Sequence, residues 1–74
     1  MWHEGGIAIH DRVYKYWVKS YNESSQYGID NGRISKLEIR RDGVTVANYD
    51  RGWDVEPIDD DTEIALAILM KEYN

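Results

Sequence analysis

The sequence predicts an α+β domain: a four-stranded, mostly antiparallel β-meander followed by one C-terminal α-helix packed on a sheet face. Three observations carry that reading. Residues 2–50 fall into β-type runs separated by turn residues, among them Asp42-Gly43. Residues 60–73 combine helix-start residues with the longest apolar run of the chain. The 74 residues suffice for one domain, 1–74, and no linker or repeat divides them.

The first strand is expected over about 2–9, with Ile7 and Ile9 on one face and Gly5-Gly6 permitting a bulge or a close backbone approach. His10-Asp11 serves as a tight connection to a second strand over 12–21. There Tyr14, Tyr16 and Val18 alternate with Val13, Lys15, Trp17 and Lys19. Aromatic residues on both of its faces predict a central strand, or a strand whose second face is covered. Residues 22–32, NESSQYGIDNG, read as a long loop pinned by Tyr27 and Ile29. A third strand covers 33–41, with Leu37 and Ile39 inward and Ile34 out of phase, which suggests a bulge or a contact on the other face. Asp42-Gly43 suits a type I′ hairpin into a fourth strand over 44–50, because glycine accepts positive φ without penalty.

The helix is expected from about 60 to 73, with Asp59 or Asp60 as N-cap and Asp60 with Glu63 at capping-box spacing. Acids in its first turn suit the positive end of the helix dipole. Ile64, Ala65, Ile68 and Leu69 form an apolar stripe extended by Tyr73, and Leu66 and Met70 lie off it. That excess of apolar surface predicts a second contact, a homodimer through Leu66, Met70 and Tyr73. A domain this small buries only about 60–65% of the surface its unfolded chain exposes, so its core is one layer deep.

Composition narrows the function. The chain has no Cys, which removes disulfides, thiolate metal sites and a cysteine nucleophile. No glycine loop is followed by the helix and Lys that cradle phosphate, and no Ser stands in a nucleophile elbow. His3 and His10 lie about 23 Å apart along an extended strand, too far to share a metal. No enzyme activity, cofactor or metal is implied. A net charge of −5 argues against nucleic acid as principal partner. The stretch lacks a signal peptide and an apolar span, so a cytoplasmic protein is expected.

Two groups of residues remain as binding candidates. Asn48-Tyr49-Asp50-Arg51-Gly52-Trp53-Asp54 reads as a strand-ending corner. There Trp53 covers the core, Gly52 allows the reversal, and Arg51 pairs with Asp50, Asp54 or a helix acid. Arg51 and Trp53 at a glycine-flanked strand end are also typical hot-spot residues, and Tyr49, Asp50, Asp54 and Tyr27 of the loop complete this binding candidate. The second group comprises the aromatics and bases of strands two and three: Tyr14, Lys15, Tyr16, Trp17, Lys19, Arg33, Lys36, Arg40 and Arg41. They suit stacking and phosphate contacts, the alternative being a solvated strand face. The acidic end of the chain could instead imitate a phosphate backbone.

The blocks Trp2-His3-Glu4-Gly5, Tyr27-Gly28-Ile29 with Gly32-Arg33-Ile34-Ser35-Lys36-Leu37, and Asn48 to Asp54 together resemble a family of small uncharacterised proteins. These proteins belong to low-GC Gram-positive bacteria and their phages and carry a domain of unknown function. The resemblance spans nearly the whole chain. It implies a phage or prophage setting in the cytoplasm of a bacterial host, and no catalytic residue. The expectation is a non-enzymatic accessory protein that binds a protein partner.

Overall fold

Two tight turns order the first strands. His10 and Asp11 have φ of 48° and 65°, and Asp42 and Gly43 have 53° and 77°, the positive pair that a type I′ turn requires. In the computed structural model, which describes residues 1–74, these turns join β1 (Trp2–Ile9) to β2 (Arg12–Ser20) and β3 (Ile34–Arg41) to β4 (Val44–Asp50). A fifth strand, β5 (Trp53–Val55), follows, and the sheet order is β1-β2-β3-β4-β5 with every neighbour antiparallel. The sheet thus has five strands where the sequence predicts four. Three residues are too few for alternation to register in a sequence. Residues 48–54 are accordingly a hairpin, closed by the Asp50 N–H donating to the Gly52 carbonyl at 2.9 Å. The positive φ of that turn belongs to Arg51, at 59°, and not to Gly52.

Two register shifts reconcile the apolar pattern with one core face. Lys19 pairs with Lys36 but Ser20 with Ile34, so Ser35 is the extra residue. This brings Ile34 onto the face of Leu37 and Ile39 despite its phase. Likewise Ile39 pairs with Ala47 and Arg40 with Thr45, leaving Val46 as the insertion and both Val46 and Ala47 buried. β1 runs against β2 with no interruption. Gly5 is therefore not a bulge but a close approach: a Cβ there would lie 2.8 Å from the Tyr16 hydroxyl.

The helix α1 (Asp60–Tyr73) lies over β1, β2 and β3. Asp59 is its N-cap; one carboxylate oxygen accepts from the Thr62 N–H and hydroxyl at 2.8 and 2.7 Å. The other accepts from Arg41 Nη1 at 2.7 Å, and the same Nη1 donates to the Tyr14 hydroxyl at 2.9 Å. The cap thereby ties helix to β3 and β2. The buried stripe runs through Thr62, Ala65 and Leu69, with Leu66, Met70 and Tyr73 also against the core. Ile64 and Ile68 point outward, each 44% exposed. Ala65, Leu69 and Tyr73 thus lie on the packed stripe as expected, but Ile64 and Ile68 change places with Leu66 and Met70: Leu66, Met70 and Tyr73 serve the core and are not the spare apolar surface. The cause is Thr62, whose buried hydroxyl and i+3, i+7 partners rotate the stripe away from Ile64.

Residues 21–33 cover the sheet where the helix does not reach. Ile29, in a short 3₁₀ turn (Ile29–Asn31), is buried, and the Tyr49 hydroxyl donates to the Tyr27 carbonyl at 2.8 Å. Asn74 locks this segment: its Oδ1 accepts from the Ile34 N–H at 2.9 Å and its Nδ2 donates to the Ile29 carbonyl at 3.1 Å. Glycine at 32 leaves the room, since a Cβ would collide with the Asn74 amide.

The cap gives acid stability a specific source. Thr62 and then Arg41 hold the Asp59 carboxyl down to about 2, below its ordinary 3.8. A folded-state pKa below the unfolded one stabilises the fold above that ordinary value and loses the effect as pH falls toward 2. The midpoint of thermal unfolding is expected to fall between pH 4 and pH 2 in the native protein. Asp59→Asn should unfold at a lower temperature at pH 7 and show a flatter dependence in that window; an unchanged slope would remove Asp59 as the source.

Candidate functional site

Alternation along the strands sorts the aromatic and basic residues of β2 and β3 into two sets. Tyr14, Tyr16 and Arg41 point to the helix. Lys15, Trp17, Lys19, Lys36 and Arg40 point to the opposite face, which no element of the fold covers. Directly paired residues share a face, so the register lays out this open face as three rows across the sheet. The first is Trp2, Lys19, Lys36 and Asp50; the second Glu4, Trp17, Glu38 and Asn48; the third Gly6, Lys15, Arg40 and Thr45.

Trp17 stands at the centre. The Arg40 guanidinium lies 5.4 Å from its ring centroid, and the Lys19 ammonium 5.8 Å from that of Trp2, both within cation–π range. Arg40 Nε donates to Glu38 Oε2 at 3.0 Å, and the Thr45 hydroxyl donates to the same oxygen at 2.9 Å. Lys36 lies 3.9 Å from Asp50. These contacts hold the polar side chains upright around the tryptophans. Between them is an open concavity of about 530 Å³, lined by Trp2, Trp17, Lys36, Glu38, Arg40 and Asn48 among others. In these rows four cations (Lys15, Lys19, Lys36, Arg40) meet three carboxylates (Glu4, Glu38, Asp50), and Asp54 of β5 on the same side brings the face to zero. The chain charge of −5 therefore lies on the rest of the molecule.

The residues expected at the 48–54 corner are divided by the fold. Asp50 and Lys36 belong to the open face. Trp53 is half-buried and meets Tyr49 edge-to-face at 5.1 Å, on the helix side of the sheet, so it does cover the core's end. Asp54 alternates with it onto the other side. Arg51 forms no ion pair with Asp50, Asp54 or the helix; its guanidinium lies 5.9 Å from the ring of Tyr27, and its N–H donates to the Ser35 carbonyl at 3.2 Å. Arg33 is engaged elsewhere, its Nε donating to the Asn74 main-chain oxygen at 3.4 Å. Trp2 is the site residue that sequence reasoning missed. Its signal was present: Trp2 shares parity with Glu4, opposite to Ile7 and Ile9.

On the helix side, Tyr73 stacks on His3 with centroids 4.4 Å apart, and its hydroxyl lies 3.3 Å from that of Tyr16. The Tyr16 hydroxyl and burial push the Tyr73 phenol up to about 12. This cluster seals the end of the helix. No three or more His, Asp or Glu side chains converge to hold a metal ion, and no helix is long and apolar enough to cross a membrane.

Fold and face together define a small α+β domain with one sheet face packed and the other presenting aromatic and charged side chains. The chain belongs to the family described as domain of unknown function DUF7678, whose model matches residues 1–74. No curated protein and no solved structure gives a significant match.

Proposed function

We propose that this protein is a non-enzymatic interaction domain whose open sheet face docks a protein partner. One observation carries the reading: Trp2 and Trp17 stand on the uncovered face, framed by Arg40, Lys19, Lys36 and the carboxylates that orient them. Aromatic residues and Arg at the centre of a patch, with a polar rim, are the composition of interface hot spots. Mixed charge favours a protein over a nucleic acid. Glu4 and Glu38 flank Trp17 in the central row, where a phosphate backbone tracking the cations would meet both. The three sequence blocks support an accessory role in a phage or prophage, within the cytoplasm of a bacterial host.

Capture from a Gram-positive host lysate tests the reading. Trp17→Ala and Arg40→Glu are each expected to reduce the captured partner about tenfold or more, a hot-spot effect. Arg51→Ala, on the corner away from this face, should capture as the native chain does. Loss confined to Arg51→Ala would move the site to the corner. A single-stranded oligonucleotide bound through the same face at about 20 mM salt, and lost in Trp17→Ala, would replace the protein partner with a nucleic acid.

A further inference from the structure

We infer that β1 pairs with β1 of a second copy of this chain, antiparallel about a two-fold axis at Gly5, to join two sheets into one. The two edges of the sheet are unequal. β5 offers three residues, whereas β1 offers eight, in unbroken register with β2. Sheet proteins that stay monomeric guard such an edge with Pro, Lys, a bulge or an inward charge. β1 has none of these; Glu4 is its one acid.

The backbone says which groups are free. Met1 both donates to and accepts from Ser20, so odd-numbered residues of β1 face β2. The N–H and C=O groups of Trp2, Glu4, Gly6 and Ala8 therefore point away from the sheet. A two-fold axis at Gly5 sets Trp2 against the partner's Ala8 and Glu4 against the partner's Gly6. Every free N–H and C=O of β1 then gains a partner, and neither Glu4 faces another carboxylate. A shift of two residues leaves a tryptophan or an alanine unpaired. A shift of one residue opposes the wrong faces.

The helix supplies a second, independent match. A two-fold axis through a sheet places both helices on the same side. Asp61 marks the flank of α1 nearest β1, because its carboxylate meets His10 Nδ1 at 3.1 Å just beyond that strand. Ile64 and Ile68 follow it by three and seven residues, on the same flank. These are the large apolar side chains that the helix leaves exposed, and pairing at β1 turns them toward their counterparts. The second copy also doubles the open face, setting both Trp2 side chains near its middle.

Sedimentation equilibrium on the purified chain tests the pairing. A mass of twice 8.7 kDa is expected. Glu4→Pro, which deletes one outward N–H, and Ile68→Glu should each raise the dimer dissociation constant at least tenfold. Ile68→Glu changes an exposed side chain, so it reports even where Glu4→Pro fails to fold. Since the chain has no Cys, the register can be read by cross-linking. Trp2→Cys combined with Ala8→Cys should oxidise to a covalent dimer, the paired Cα atoms being about 5.5 Å apart. Within one chain those positions are about 20 Å apart, and neither single variant should cross-link. A monomer up to about 1 mM, a dimer indifferent to both substitutions, or equal cross-linking by a single variant would overturn the proposal. Partner capture in Trp17→Ala is a separate measurement, so the two readings fail independently.

Discussion

Leu69→Ala is expected to cost about 3 kcal/mol of folding stability, within the 2–5 kcal/mol range for deleting a fully buried leucine. Leu69 is 1% exposed and is the large apolar side chain by which α1 is buried deepest against the sheet. Its neighbours in that layer, Tyr14, Val18, Leu37 and Ile39, are held by strand pairing and cannot follow a shortened side chain. The cavity should therefore persist. In a domain this small, stability is a few kcal/mol and each one moves the unfolding midpoint by about 4–8 °C. Urea unfolding should show a midpoint reduced by half or more, or a chain unfolded in water. Ile68→Ala, on the flank of the helix away from the core, should change stability by less than about 0.5 kcal/mol at concentrations where the chain is monomeric. Similar losses in both variants would mean that the helix packs through the face the sequence first suggests.

The second large effect belongs to Asn74. Its side chain satisfies the Ile34 N–H and the Ile29 carbonyl, both on residues that are almost wholly buried. Asn74→Ala leaves the Ile34 N–H without a partner, at a cost of about 1–3 kcal/mol, whereas the Ile29 carbonyl keeps the Gly32 N–H at 2.8 Å. The loss should be local before it is global: residues 22–33 should loosen from β3 while β1 and β2 stay paired. Amide exchange checks this directly. The Ile34 amide should exchange at least tenfold faster in Asn74→Ala, with the β2 amides of Tyr14 and Val18 slowed or accelerated only as global stability dictates. Unchanged exchange at Ile34 would mean that solvent replaces Asn74.

The elements of this fold were legible where local chemistry is strong. Asp42-Gly43 and His10-Asp11 announce their turns, and Asp59 announces the helix. β5 was hidden because three residues carry no period. The helix face was misread because Thr62, a polar residue, occupies the core while Ile64 and Ile68 do not. No sequence rule weighs the hydroxyl's bond to Asp59 against two isoleucines. The site was half legible. Lys15, Trp17, Lys19, Lys36 and Arg40 stood out as a basic and aromatic set, but only the register separates them from Tyr14, Tyr16 and Arg41. Trp2 joins them from a strand ten and more residues away, through pairing that no local pattern encodes.

A photoreactive residue placed at Lys36, within the concavity beside Trp17, tests the central claim most directly. Irradiation in host lysate is expected to yield an adduct to another protein from this position and none from the same residue placed at Glu63 on the helix. Adducts from Glu63 with none from Lys36 would show that the packed side of the molecule, and not the open sheet face, meets the partner.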